Sequence, residues 1–179
     1  MKKDGDYFWY TVDGLAANTE VAYQFLVDKT IRCADPYCTK ILDPWNDKYI
    51  NENGAIYPNL RQYPVNKATD VLSVFSTTPS TFNWTVTDFQ RPKQNSLAIY
   101  ELLFRDFTVE RSVKAAMAKL DHIKALGINA IELMPIHEFD GNNSWGYNPC
   151  FYFAADKAYG TVEDYKTFID ECHKRGIAV

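Results

Sequence analysis

Four carboxylates in the second half of the chain, Glu101, Glu132, Glu138 and Asp140, are the residues best suited by type to proton transfer or nucleophilic attack. Glu101 and Glu132 fall inside short apolar runs, where an ion pair is the expected role. Glu138 and Asp140 follow the second run with His137 and read as solvated loop charges. Metal chemistry finds no support. Cys33, Cys38, Cys150 and Cys172 match no zinc or CxxC spacing, and His122, His137 and His173 complete no ligand cluster, so ordinary free thiols are expected. The other chemistry-bearing group is aromatic: Ser144-Trp145-Gly146-Tyr147-Asn148-Pro149. Tyr147 either packs as a buried loop aromatic against Trp145 or offers its ring to a ligand. Asn148 either reaches a ligand hydroxyl or serves as a turn residue before proline.

Composition bounds the partners. The chain has 179 residues, 46% hydrophobic and 23% charged, the profile of a globular protein with room for a core. Nineteen Lys and Arg against 23 Asp and Glu give a net charge of −4, so nothing electrostatic favours nucleic acid or an anionic membrane. No apolar run approaches a membrane span, and Met1-Lys2-Lys3 leads into Asp4-Gly5-Asp6 rather than a signal-peptide core; the compartment stays open.

The elements that must position these residues fall into two textures. Tyr7–Val12, Val21–Val27 and a short run around Thr30-Ile31-Arg32 predict strands, with breaks at Asp13-Gly14 and Asp28-Lys29, as in part of an antiparallel sandwich. From 35 to 95 prolines (Pro79 among them) alternate with aromatics around one expected strand, Val71–Phe75. Such aromatic content argues against disorder and for an extended connector packed over a neighbouring surface. The second half changes period. Leu97–Phe104 and Ile128–Ile136 predict buried strands. Between them Val113, Ala116, Met117, Leu120, Ile123 and Leu126 recur at helical spacing up to Gly127. Thr161 and Asp164 predict the cap of a second helix with an apolar face of Tyr165, Phe168, Ile169 and Cys172, and Gly176 ends it before a strand at Ile177-Ala178-Val179. The order is βαβαβ with parallel strands. Strand elements at both chain ends look cut.

Three pieces in this order resemble glycoside hydrolase family 13, the α-amylase family: Ile99–Phe107, Leu126–Ile136 and Ser144–Pro149 with Tyr152-Phe153-Ala154 and Tyr159-Gly160-Thr161. Gly14-Leu15, Tyr23-Gln24-Phe25 and Ala34-Asp35-Pro36-Tyr37 are similar to the immunoglobulin-like module, carbohydrate-binding module family 48, that precedes the barrel in some members. The resemblance implies a mixed fold: a partial β-sandwich over 1–50, a connector over 51–95 and the opening βαβαβ of a (β/α)8 TIM barrel over 96–179. It implies retaining chemistry on an α-1,4 or α-1,6 glucan, of amylase, debranching or branching type. It carries over no catalytic residue, because the family's nucleophile and acid follow the fourth and fifth barrel strands. The substrate-binding residues it implies are Tyr147, stacking on the sugar at the cleavage site, with Asn148 and Trp145; Gly146 lets the backbone approach that ring. Trp9, Trp45 and Trp84 offer further sugar-stacking faces or pack between segments. No cofactor is expected of these residues, although calcium is implied for a full-length parent. With at most three barrel strands, self-association through open sheet edges is expected. The competing readings are a non-catalytic glucan-binding module and an unrelated βαβ protein.

Overall fold

The computed structural model describes residues 1–52, 54–78 and 80–179; Pro79, one of the punctuating prolines, lies outside them. Strands β1 (Lys2–Asp4) and β2 (Tyr7–Trp9) form an antiparallel hairpin, shorter than the expected Tyr7–Val12 run. The expected strand Val21–Val27 is two strands. β3 (Glu20–Tyr23) and β4 (Phe25–Val27) part at Gln24, whose side chain donates to the carbonyls of Thr69 and Val71. β4 turns at Asp28 and Lys29, both at positive φ, into β5 (Ile31–Cys33), the primed geometry that matches strand twist. β6 (Ile41–Leu42) and β7 (Leu72–Ser76) complete a three-stranded antiparallel sheet in the order β3-β7-β6. Leu42, Leu72 and Val74 form its small core.

The second half is a parallel unit. β8 (Ile99–Leu102) and β9 (Ala130–Leu133) pair in parallel with Ile99 opposite Ala130, and Ala178 bridges onto Ala130 in parallel on the far side. A short helix, α1 (Phe104–Phe107), follows β8. The expected single helix is split into α2 (Val113–Met117) and α3 (Leu120–Ala125), because the Lys119 amide bonds the Ala116 carbonyl three residues back and tightens the turn. Val113, Ala116, Leu120 and Ile123 are buried as their spacing requires, while Leu126, at the helix end, is exposed. α4 (Val162–Lys174) starts at the Thr161–Asp164 capping box and buries Tyr165, Phe168 and Cys172. Phe104 packs edge-on against Tyr165 and Phe168 at the centre of this core.

Two features of the fold bear on the site. The stretch expected as a loop after β9 contains an antiparallel hairpin, β10 (His137–Phe139) with β11 (Pro149–Ala155). Residues 80–89 run along the outer side of α4: Ser80 bonds Glu163, Lys166 lies over the Phe82 ring, Thr85 and Val86 bond Asp170, and Phe89 stacks on His173. No closed barrel forms among the described residues.

Candidate functional site

The loop between β10 and β11 leaves from the C-terminal end of a parallel strand and returns past it, the end at which parallel βα folds place ligand sites. Gly146 fixes its course. Its φ is +86°, and a Cβ there would lie 2.7 Å from the Pro135 carbonyl oxygen, so no other residue fits without moving the strand end. The close approach is thus to Pro135. Ser144 Oγ accepts the Gly146 amide at 3.1 Å and donates to Asn148 Oδ1 at 2.5 Å. Asn143 Oδ1 accepts from Arg105, and Asn142 Nδ2 donates to the Asn46 carbonyl.

This locked backbone holds its aromatics outward. Tyr147 is 67% exposed and Trp145 61% exposed, so Tyr147 is not the buried partner of Trp145 that the bare sequence allows. Asn148 is exposed too, but its Oδ1 is engaged within the loop. Tyr147 and Trp145 therefore present ring faces at the strand end, the arrangement that suits the apolar faces of a ring-shaped polyol. Trp9, Trp45 and Trp84 are also partly exposed, and Trp84 sets its ring edge-on to Phe82.

The carboxylates fall into three environments, and sequence reasoning placed only Asp140, which is exposed. Glu101 and Glu132 are in-register neighbours on β8 and β9, both exposed on the sheet face away from the helices and without an ion pair among the described residues, against the expectation. That face is an open apolar hollow of about 490 Å³ lined by Ile99, Ala130, Met134, Ile136 and Val179 with Glu132.

Glu138, expected as a solvated loop charge, is 5% exposed and grips Lys157, itself 2% exposed; both the ammonium and the amide of Lys157 reach Glu138 Oε1. Asp47 Oδ1 lies 3.3 Å from the same ammonium. Burial would lower the Lys157 pKa, but Glu138 and Asp47 outweigh it and raise it. Burial raises Glu138 against the pull of Lys157. Asp156 is pushed furthest, well above the usual carboxylate range, by burial and then by the Glu138 charge. Its Oδ2 and the buried Tyr159 hydroxyl have no hydrogen-bond partner among the described residues. This group of three acids and one lysine was invisible in the sequence, since the partners lie up to 110 positions apart. No group of three His, Cys, Asp or Glu could hold a metal among the described residues, and the thiols are all free there. Nor is any described helix long and apolar enough to cross a membrane.

Comparison with known proteins places the second half. Residues 111–179 match the family model for the α-amylase catalytic domain. Malto-oligosyltrehalose trehalohydrolase of Arthrobacter ramosus is 37% identical over 101 residues, 56% of this chain and 18% of that protein. The enzyme of the same name from Mycobacterium tuberculosis strain H37Rv is 30% identical over 181 residues, the whole of this chain and 27% of its own length. Among solved structures, a candidate α-amylase from Salmonella typhimurium superposes over 87% of this chain and 22% of its own, with a TM-score of 0.65 at 28% identity. The Group B Streptococcus pullulanase SAP shares the fold over 87% of this chain and 23% of its own, with a TM-score of 0.59 at 21% identity. The chain thus spans about a quarter or less of these relatives.

Proposed function

Because residues 111–179 belong to the α-amylase catalytic-domain family, we propose that this chain supplies the glucan-facing rim of a retaining α-glucan hydrolase or transglycosylase. Its substrate is a starch- or glycogen-like polymer with α-1,4 or α-1,6 linkages, and the activity is of amylase, debranching or branching type. The observation that carries the reading is the loop pinned by Gly146 on Pro135, which displays Tyr147 and Trp145 at the strand end. Asn148 shapes that loop and contributes a polar contact. In this reading β8, α2–α3, β9, α4 and the parallel bridge at Ala178 open a (β/α)8 barrel over 96–179. The expected division into a module over 1–50 and a connector over 51–95 gives way in this reading: β7 is the middle strand of the sheet with β3 and β6, so the immunoglobulin-like module runs to Ser76 and the connector begins after it.

The carboxylates of the reaction are not assigned to this chain. Retaining chemistry needs two carboxyl groups about 5–5.5 Å apart at the substrate. Glu101 and Glu132 are neighbours, but they sit within strands rather than beyond their C-terminal ends. Glu138 is neutralised by Lys157 inside the fold. The chain therefore binds glucan without turnover.

Titration with maltoheptaose, followed by tryptophan fluorescence, tests this. Tyr147→Ala weakens binding at least about tenfold, roughly 1.4 kcal/mol, and Tyr147→Phe far less. Unchanged affinity in folded Tyr147→Ala protein would return the residue to a packing role.

A further inference from the structure

We propose that Tyr37, Asn46 and Asp47, all from the first half, form a clasp that positions the Tyr147 loop. The proposal deepens the glucan reading of that loop but has a readout of its own.

Three contacts converge on one hairpin. The register of β10 against β11 shifts on both sides of Glu138: His137, Glu138 and Phe139 face Ala155, Phe151 and Pro149. β11 therefore spends several residues against one step of β10, the bulge geometry that re-aims side chains. Glu138 turns inward onto Lys157, and Phe153 turns outward to meet the Tyr37 ring at 5.4 Å and 31°. Lys157 reaches across to Asp47 at 3.3 Å. Farther along the loop, Asn142 donates to the Asn46 carbonyl at 2.9 Å.

The other side of the clasp is stiff. Asp43 Oδ1 accepts the amides of Trp45 and Asn46, and Asp47 Oδ2 accepts the Asp43 amide, so Asn46 and Asp47 sit on a closed turn. The turn holds the loop where it leaves β10, through Glu138 and Lys157, and again at Asn142. Tyr37 holds the returning strand. Among the described residues none of the three hydrogen-bonds, ion-pairs or ring-stacks with residues 144–148, so their hold on the sugar-facing aromatics runs through the hairpin.

The test is hydrogen exchange on the 179-residue chain, with the Gly146 amide, bonded to Ser144 Oγ, as reporter. Asp47→Asn leaves Lys157 paired with Glu138, and Tyr37→Ala removes the outer contact. In the double variant Gly146 exchanges at least about tenfold faster while α4 amides keep their rates. Tyr37→Phe in place of Tyr37→Ala restores much of the protection, and maltoheptaose affinity follows the same order. Asp47→Asn alone gives a smaller shift of the same sign and serves if the double variant unfolds. Unchanged Gly146 exchange in the folded variants would overturn the clasp. Faster exchange in a chain that never bound maltoheptaose would leave the clasp standing and remove the glucan reading.

Discussion

Residues 102–177 bury fourteen side chains in one apolar cluster, whereas the sheet of β3, β6 and β7 centres on three. The two regions also differ in how they are joined. The parallel unit packs through apolar rings such as Phe104 of α1 against Phe168 of α4, while the first half attaches to it through polar and aromatic contacts: the clasp on the hairpin, with its buried Lys157–Asp47 pair, and the strap along α4. Apolar burial stabilises in proportion to area, whereas a charge-assisted hydrogen bond depends on the protonation of its partner. The second half should therefore respond to cavities and the first to charge.

The largest expected effect follows from that core. Phe168 is fully buried, with the Phe104 ring 5.2 Å away, and Phe168→Ala costs about 3–5 kcal/mol, a large part of the stability of an ordinary domain. Urea unfolding followed by far-ultraviolet circular dichroism measures it. A loss below about 1 kcal/mol would break the contrast, since a site that collapses freely is not part of a close-packed core.

A smaller effect separates the strap from the core. Asp170 accepts from Thr85 Oγ1 and from the amides of Thr85 and Val86, and these bonds, with Lys174 nearby, hold its pKa below the usual carboxylate value. A carboxylate lowered on folding contributes stability above its ordinary pKa and loses it as pH falls through the lowered one. Asp156 has the opposite sign: its raised pKa favours the fold in acid, and that contribution fades as pH rises from the ordinary carboxylate range through the raised value. Acid should thus release the strap before it weakens the inner cluster. Protection factors at Thr85 and Val86, taken against the intrinsic exchange rate at each pH, fall below about pH 4 while α4 stays protected, and Asp170→Asn reproduces the release at neutral pH. Simultaneous loss of both sets of amides would show the strap and helix to be one unit.

The sequence disclosed what local chemistry determines. The Thr161–Asp164 box, the positive-φ glycines at 127 and 176 and the apolar face of α4 all act within a few residues, and all are where the spacing put them. The α2–α3 break escaped because it depends on one tightened turn, and the β10–β11 hairpin because its bulge disrupts the alternation that marks a strand. Glu138 was misread for a different reason. A carboxylate next to His137 and two residues from Asp140 looks solvated until Lys157 and Asp47 are brought to it, and nothing in its neighbourhood announces either.

The smallest effect is expected at the other extreme of the comparison. In the β1–β2 hairpin each strand has three residues, every one exposed, and Trp9 is 47% exposed with the Lys2 ammonium 5.0 Å above its ring. An exposed contact of this kind is worth about 0.5–1 kcal/mol within a hairpin that is itself marginal in water. Fraying of the hairpin would leave the parallel core untouched, so Trp9→Ala shifts global unfolding by no more than about 0.5 kcal/mol. The same substitution asks whether this aromatic face, apart from the open sheet edges, holds a second copy. If a second copy covers this aromatic face, sedimentation velocity will show the wild-type chain associating and Trp9→Ala shifted toward monomer, with a stability loss that grows with protein concentration. A loss above about 1 kcal/mol at low concentration, in a monomeric chain, would mean that the first half has a packing partner within the molecule, and the contrast between a cored half and a docked half would fail.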